Sequence, residues 1–297
     1  MKVVIAGSTG LVGTALVAKL QEAGHDVIRL VRRPAKGPGE IQWDPANSKL
    51  DAGALDGVDG VVHLGGDNIA EGRWTDAKKK RIRESRVMST TLLAETLASM
   101  ENKPKFFVCA SAIGYYGRRG DEVLTESSAP GTGFLPEVCQ AWEASTKAAS
   151  DAGVRVVNVR IGVVLARNGG ALAKMLTPFK LGLGGVVGSG RQYWSAVPLT
   201  ELVNIIKFCC DNEGISGPVN AVTPNAENNK VFTKTLGRVL GRPTIFPLPG
   251  FVAKILLGEM ADDLLLGSTR VEPAKLKESG YEFIYSDLES ALRAELG

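Results

Sequence analysis

Short apolar runs alternate with longer segments of helical periodicity along the first half of the chain. The apolar runs occupy residues 3–6, 27–31, 60–64, 106–110 and 154–160, and each has the length and composition of a buried β-strand. Helical periodicity lies between them, at about residues 11–23, 76–100 and 137–152. This alternation predicts an α/β fold built on a doubly wound parallel sheet.

The first predicted strand runs directly into a glycine-rich turn, G-x-x-G-x-x-G, formed by Gly7, Gly10 and Gly13. The first glycine allows a tight turn, the second lets the backbone approach a pyrophosphate, and the third lets the helix pack on the strand. The helix N-terminus then offers N–H groups to the phosphates. We interpret the motif as a Rossmann-type dinucleotide site, although the glycines could serve a tight turn alone. The predicted cofactor-binding residues here are Gly7, Thr9, Gly10, Leu11, Val12 and Gly13.

The end of the second predicted strand favours NADP(H) over NAD(H). NAD-selective folds place an acidic residue there to bind the ribose hydroxyls. This chain instead has Arg32 and Arg33, and a guanidinium can bind a 2′-phosphate that a carboxylate would repel. Arg32 is the stronger candidate, because a solvated loop position suits Arg33 equally well.

The third predicted strand ends in Leu64, Gly65 and Gly66, which we expect to pass beside the adenosine. The two glycines would keep side chains out of the cofactor's path. His63, within the strand, is interpreted as a core residue.

The pattern changes after about residue 166, where glycine-rich stretches indicate long loops. From about residue 243 the chain contains an apolar helix near residues 251–257 and a closing helix near 286–296. We therefore predict an NAD(P)-binding Rossmann domain over residues 1–242, with cap-contributing loops at about 166–200. Residues 243–297 are predicted to form a small C-terminal α/β cap, since ligands bind outside the carboxyl ends of such strands.

Composition excludes several classes of partner. The net charge is only +3, and no charge-free apolar stretch approaches the roughly 20 residues of a membrane span. The four cysteines have no metal-ligand spacing and the chain has only two histidines, so we expect no metal site. A reduced, cytoplasmic compartment is expected, because the N-terminus enters a strand without a leader pattern. The basic run at residues 78–86 is interpreted as a solvated helix face rather than a nucleic-acid site.

Several segments, taken in order, carry a family resemblance: Ser85-Arg86 followed by Thr90 and Thr91, then residues 110–117, 138–143 and 190–195, and a tail with Gly258-Glu259, Pro273 and Gly280-Tyr281-Glu282-Phe283. The chain resembles the epimerase family of extended or atypical short-chain dehydrogenases/reductases, in the branch with a C-terminal domain of unknown function (DUF1731). The resemblance implies NADP(H) binding and a discontinuous substrate region. It implies that Arg86, where ordinary extended members carry Asn, reaches the cofactor, and that Val163 lines the nicotinamide pocket. Relatives often form homodimers through helices like those at 76–100 and 137–152.

The resemblance also exposes a departure in the catalytic residues. Ordinary members use Ser or Thr with Tyr-x-x-x-Lys, in which the lysine activates the tyrosine. Ser111 keeps the serine position and is expected to contact both cofactor and substrate, but Cys139 occupies the tyrosine position and Glu143 the lysine position. Cys139 has no evident cationic neighbour and an adjacent glutamate, so a reactive thiolate is not favoured. Glu143 beside a tryptophan would suit a general acid if burial kept it protonated.

Three functions are compatible with these residues. The first is an oxidoreductase or nucleotide-sugar-type epimerase acting on a carbonyl or secondary alcohol, with Ser111, Cys139 and Glu143 as catalytic candidates and Tyr115 or Tyr116 as alternatives. The second is a catalytically inactive NADP(H)-sensing regulator, since some relatives have been linked to cell division. The third is a protein-binding scaffold.

The substrate is expected to be a small molecule. Arg191, Gln192, Tyr193 and Trp194 follow a glycine-rich loop, and this composition suits closure over a sugar-like or aromatic substrate. The same residues could pack between the two lobes. Relatives tend to continue with His-Ile-Asp-Asp, whereas this chain has Pro-Leu-Thr-Glu at residues 198–201.

Overall fold

The computed structural model describes residues 1–297. Its strands are β1 Lys2–Ala6, β2 Asp26–Val31, β3 Glu40–Gln42, β4 Gly60–His63, β5 Phe106–Ala112, β6 Val123–Leu124, β7 Arg155–Ile161, β8 Val163–Ala166, β9 Tyr193–Trp194, β10 Ala196–Pro198, β11 Gly217–Ala221, β12 Glu227–Asn228 and β13 Arg270–Val271.

The helices are α1 Leu11–Glu22, α2 Asp76–Ser99, α3 Phe134–Ala144, α4 Lys147–Asp151, α5 Gly170–Lys180, α6 Leu199–Asp211, α7 Asn229–Leu240, α8 Gly250–Leu257, α9 Glu259–Ala261, α10 Ala274–Glu278 and α11 Leu288–Leu296. A 3₁₀ turn, Ile113–Tyr116, follows β5, and a π-helical turn, Asp262–Leu266, follows α9. None of the helices combines the length and apolar character needed to span a bilayer.

A seven-stranded sheet in the order β11-β7-β5-β4-β1-β2-β3 forms the centre of the molecule. All its pairings are parallel, so the carboxyl ends of the strands share one edge. Helices α1 and α6 bury their apolar faces on one side of the sheet, and α2 and α4 on the other. The predicted doubly wound, Rossmann-type α/β sheet is confirmed.

The predicted helix at 137–152 is wrong in its bounds. It begins earlier, at Phe134, and is interrupted between α3 and α4. The Ser145 hydroxyl donates to the Ala141 carbonyl at 2.7 Å and the Thr146 hydroxyl donates to the Glu143 carbonyl at 2.7 Å. Such side-chain bonds compete with the helical backbone ladder, which explains the interruption.

The C-terminal segment (residues 243–297) is more helical than predicted. Its single named strand, β13, has two residues and pairs with β6 from the first half of the chain. Helix α11 packs against α7. The carboxylate of Glu201, fully buried in α6, accepts hydrogen bonds from the Tyr281 hydroxyl and from the amides of Ile284 and Tyr285. Hydrogen bonds to the buried Glu201 side chain thus connect the C-terminal segment to the sheet domain.

Candidate functional site

The three glycines of the turn between β1 and α1 differ in whether packing excludes a side chain at their position. Gly7 has φ +81°, and a Cβ there would lie 2.8 Å from the Gly65 amide nitrogen. A Cβ on Gly13 would lie 2.1 Å from the Gly7 carbonyl oxygen. Both positions therefore exclude side chains for reasons of packing. Gly10 has an ordinary φ of −76°, and a Cβ would meet only the Gly7 carbonyl oxygen, at 3.4 Å. Packing therefore does not explain why residue 10 is a glycine.

The N-terminus of α1 has free hydrogen-bonding capacity. No side chain caps it, and its first turn contains no acidic residue. The buried Ser8 hydroxyl beside it has no hydrogen-bond partner. Free amides at a helix N-terminus and an unpartnered hydroxyl next to an open glycine fit a pyrophosphate.

The two arginines after β2 differ in their partners. Arg33 forms a bidentate ion pair with Glu40, with N–O distances of 2.7 and 2.6 Å. Arg32 is exposed and makes no hydrogen bond or ion pair within the chain. Of the two, Arg32 is therefore free to bind a phosphate, in line with the preference inferred from the sequence.

The carboxyl end of β4 lies against the glycine turn and against Arg86. The Leu64–Gly65 peptide contacts Gly7, and a Cβ on Gly66 would lie 3.0 Å from Cζ of Arg86. The Arg86 guanidinium stacks on Trp142, 4.9 Å from its ring, and burial lowers its pKa. Arg86 thus lies beside the predicted cofactor path.

The interpretation of residues 78–86 as a solvated face is wrong at Lys78, whereas Arg86 departs from it as the family resemblance implied. Lys78 is buried and pairs with Asp67 at 2.7 Å, and Arg86 donates to the Asp67 and Ile82 carbonyls at 3.0 Å. Lys80, Arg81 and Arg83 are exposed as expected. The helix therefore directs the two ends of its basic run toward the loop after β4.

Three polar side chains occupy one row across the carboxyl half of the sheet. Ser111 of β5 is the register partner of Arg160 of β7, which is the register partner of Asn220 of β11. Glu143 of α3 lies over this row. Its Oε1 accepts from the Ser111 hydroxyl at 2.7 Å and from Arg160 Nε at 2.8 Å, and its Oε2 accepts from Arg160 Nη2 at 2.9 Å.

The ion pair between Arg160 and Glu143 determines whether Glu143 can act as a general acid. The side chains of Arg160 and Glu143 are only 3% and 13% exposed. Burial opposes the charge of Arg160, but the hydrogen bonds and charge of Glu143 raise its pKa above the ordinary value. Both oxygens of the Glu143 carboxylate accept hydrogen bonds from this guanidinium, so neither is placed to donate a proton to a substrate. The geometry therefore contradicts the expectation that Glu143 is a general acid.

Cys139 has the features of a structural thiol. It is buried, and burial, together with the charge of Glu143, raises its pKa to about 12. The expectation that it has no cationic neighbour was wrong, because Arg86 and Arg160 partly oppose this rise. Burial nevertheless prevails, so a reactive thiolate is not available at neutral pH.

The two tyrosines of the 3₁₀ turn differ sharply. Tyr116 is fully buried, donates to Asn220 Oδ1 at 2.7 Å and accepts from Arg160 Nη1 at 2.9 Å. Burial raises its pKa to about 12. Tyr115 is half-buried, and Cζ of Arg160 lies 3.5 Å from its ring centroid.

Two of the residues proposed to close over a substrate, Gln192 and Trp194, form hydrogen bonds with other parts of the chain. The Gln192 amide donates to the Val187 and Leu265 carbonyls, and the Trp194 indole donates to the Leu265 carbonyl. These bonds correspond to the packing alternative considered for the segment. Val163, the first residue of β8, pairs with β10 and is half-buried.

Arg160 and Asn220 were missed in the sequence as site residues. The sequence could have indicated Arg160, because it is a charged residue in the mostly apolar strand Val-Val-Asn-Val-Arg-Ile. Charged residues are rarely buried in such a strand unless they are paired. Asn220 gave no comparable signal, since its strand is short and contains a proline.

Two protein-family models match the chain. The model described as the NAD dependent epimerase/dehydratase family matches residues 3–220. The chain belongs to this family. A second model, a domain of unknown function designated DUF1731, matches residues 248–295.

Relatives in this epimerase family cover nearly the whole chain. Epimerase family protein ML0860 of Mycobacterium leprae is 40% identical over 290 residues, 98% of this chain and 94% of that protein. Epimerase family protein SDR39U1 of Homo sapiens is 36% identical over 296 residues, 99% of each chain.

Solved structures agree with this relationship. The crystal structure of human SDR39U1 (isoform 2) with NADPH has a TM-score of 0.91 at 34% identity, covering 99% of this chain and 98% of that one. A nucleoside-diphosphate sugar epimerase from Corynebacterium glutamicum has a TM-score of 0.83 at 40% identity, covering 100% of this chain and 58% of that one. The family resemblance inferred from the motifs is confirmed.

Proposed function

We propose that this protein binds NADP(H) and is an oxidoreductase or epimerase of a carbonyl or secondary alcohol. The observation that carries the proposal is the open turn at Gly10, where packing does not require a glycine but a pyrophosphate would. The uncapped N-terminus of α1 and the unpartnered Arg32 support it. The similarity to human SDR39U1, solved with NADPH, supports the choice of cofactor.

Residues of this chain suit each part of such a cofactor. The α1 amides would hold the pyrophosphate, Arg32 the 2′-phosphate, and the loop of Leu64, Gly65 and Gly66 the adenosine. Arg86 remains our candidate for a further contact with the cofactor, and Val163 for the lining of the nicotinamide pocket. Bound NADPH supplies a hydride at C4 of its nicotinamide.

Ser111 is our candidate for holding the reacting oxygen. Its hydroxyl hydrogen is directed at Glu143 in this structure. Ser111 is 2% exposed, so a substrate carbonyl would have to reach it at the bottom of the cleft, where its hydroxyl would turn away from Glu143. Glu143 would keep hydrogen bonds from Arg160 to both oxygens. Glu143 and Arg160 would then fix the geometry and neutralise each other.

A calorimetric titration with NADPH and, separately, NADH tests cofactor binding. We expect at least about tenfold tighter binding of NADPH, about 1.4 kcal/mol, and loss of this preference in Arg32→Ala. Arg33→Ala is the matched control and should keep the preference, because Arg33 is engaged with Glu40. If neither NADPH nor NADH binds, the proposal is overturned.

A second candidate function is NADP(H) sensing without turnover. Hydrogen bonds between the polar row of the sheet (Ser111, Arg160 and Asn220) and the C-terminal segment favour this second function. The Asn220 side-chain amide donates to the Glu272 carbonyl. The Asn220 backbone amide also donates to the Glu126 carboxylate, which accepts from the Lys275 amide. Binding of NADPH without reduction of any carbonyl probe would favour this function.

We also propose a homodimer through α2 and the two helices α3 and α4, which together cover the predicted helix at 137–152. The exposed Met88 on α2 supports a contact on that helix. Sedimentation of the wild type and of Met88→Glu tests it, and a monomeric wild type would contradict it.

A further inference from the structure

Carbonyl reduction needs a proton donor, and the expected donors of this site are already engaged. Glu143 is bonded through both of its side-chain oxygens to Arg160. Cys139 is buried, with its pKa raised to about 12, and the Tyr116 hydroxyl donates its hydrogen to Asn220 inside the core. These three groups cannot release a proton into the cleft without breaking the site.

Tyr115 differs from them in two respects. It is half-buried, and its hydroxyl has no hydrogen-bond partner within the chain. It also follows β5 directly, on the turn at the carboxyl edge of the sheet where ligands of this fold bind.

Arg160 connects Tyr115 to the candidate serine. Its guanidinium lies 3.5 Å from the Tyr115 ring centroid and at the same time bonds the carboxylate that accepts the Ser111 hydroxyl. A cation on the face of a tyrosine stabilises the negative charge that develops when the phenol gives up its proton. Lysine has that function in ordinary members of the superfamily, and here the cation comes from β7 instead of α3.

We propose that Tyr115 is the proton donor of this site and that Arg160 is the residue that positions and activates it. The assignment rests on the proposed function. In the reducing direction, the C4–H bond of NADPH would break, its hydride would add to the carbonyl carbon, and NADPH would be oxidised to NADP⁺. The π electron pair of the carbonyl would move to its oxygen, to which the Tyr115 hydroxyl would transfer its proton. The O–H bond of Tyr115 breaks, the O–H bond of the alcohol forms, and water reprotonates the phenolate.

The test uses Tyr115→Phe in the full-length protein. Turnover is followed as NADPH consumption with 4-nitrobenzaldehyde and with a 1,2-diketone as carbonyl probes, and NADPH affinity is measured by calorimetry. We expect kcat to fall by about 10²- to 10⁴-fold, with NADPH affinity and folding retained. Tyr285→Phe is the matched control, because the Tyr285 hydroxyl also lacks a partner and lies in the C-terminal segment. It should keep wild-type turnover.

Arg160→Lys tests the positioning role through kcat and KM measured separately. Arg160 from β7 lies on the Tyr115 ring, with Glu143 from α3 behind it and Tyr116 beside it on the same turn. A lysine keeps the charge but cannot stack its plane on the ring, so kcat should fall while KM and NADPH affinity are kept. A merely structural role would leave the kcat of the folded protein unchanged.

The outcomes separate the two proposals. A wild type that binds NADPH but reduces neither probe overturns the proposed reaction and the assignment that rests on it. A wild type that reduces a probe, with a Tyr115→Phe variant that keeps more than about half its kcat, overturns the assignment alone, because losing a general acid costs about 10²-fold or more.

Discussion

Ser111 and Arg160 face each other in register on adjacent strands, and both donate hydrogen bonds to the same oxygen of Glu143. The sequence, read alone, places an anion where ordinary members of the superfamily have a lysine. In the structure a cation from the neighbouring strand neutralises that anion. The site is therefore an ion pair beside a serine hydroxyl, and its electrostatics are closer to those of ordinary members than the motif indicates.

Glu143→Gln should be strongly destabilising. The substitution leaves the guanidinium of Arg160, which is 3% exposed, without its counter-charge. Breaking a buried ion pair by removing one partner costs about 3–5 kcal/mol. Urea unfolding at pH 7 measures the loss.

Glu137→Gln is the control for this substitution, because Glu137 is an exposed residue on the same helix. It should change the free energy of unfolding by no more than about 0.5 kcal/mol. Equal stability of the two variants would mean that the ion pair contributes nothing.

The elements of the fold were largely predictable because they depend on local patterns. Apolar runs and the glycine turn specify β1, α1 and the central strands without reference to distant residues. The partner of Glu143 was not predictable in the same way, because Arg160 meets it only through the register of β5 and β7. Likewise, Gln192 and Trp194 were ambiguous until Leu265, about 70 residues away, was found to accept their hydrogen bonds.

Gly10→Ala should separate cofactor binding from stability. The backbone at Gly10 has an ordinary φ and the new methyl group would meet no close neighbour, so stability should change by less than about 1 kcal/mol. The methyl group would stand where the pyrophosphate is proposed to lie. NADPH affinity by calorimetry should therefore fall about tenfold or more, which is about 1.4 kcal/mol.

Gly13→Ala is the contrasting variant. Its methyl group would overlap the Gly7 carbonyl oxygen, at 2.1 Å, so α1 must move away from β1. We expect a loss of about 3 kcal/mol or more in thermal unfolding. Unchanged NADPH affinity in Gly10→Ala would contradict the proposed path of the cofactor.

His63 should make stability fall with acid. It is fully buried in β4, its Nδ1 accepts from the Gly65 amide, and its Nε2 lies 2.8 Å from the Ser89 hydroxyl. Burial, with a smaller effect from Arg86, lowers its pKa to about 3. Below about pH 6.5, His63 takes up a proton in the unfolded chain but not in the folded chain. The free energy of unfolding therefore decreases as the pH falls from about 6.5 toward 3.

The free energy of unfolding from urea titrations at pH 7 and pH 5 checks this. The wild type should lose about 2 kcal/mol more than His63→Gln over that interval. The other titrating groups are common to both proteins and cancel in the difference. Parallel losses would show that His63 is protonated in the folded state.

Glu201→Gln should loosen the C-terminal segment. Glu201 occupies the second position of the Asp-Asp pair expected from relatives. Its carboxylate accepts hydrogen bonds from the Tyr281 hydroxyl at 2.5 Å and from the Ile284 and Tyr285 amides at 2.9 and 3.1 Å. Burial and the bond to Glu201 raise the pKa of Tyr281, so this phenol is protonated and donates its hydrogen at neutral pH.

Hydrogen bonds to a buried charge contribute more than neutral ones, so we expect Glu201→Gln to cost about 2–3 kcal/mol and Tyr281→Phe about 1–2 kcal/mol in urea unfolding. The loss should be concentrated in the segment, and trypsin should cut Glu201→Gln faster after Lys277. Glu282→Gln is the control, since Glu282 is exposed in the same segment. If both glutamate variants are cut at the same rate, the buried carboxylate does not hold the segment in place.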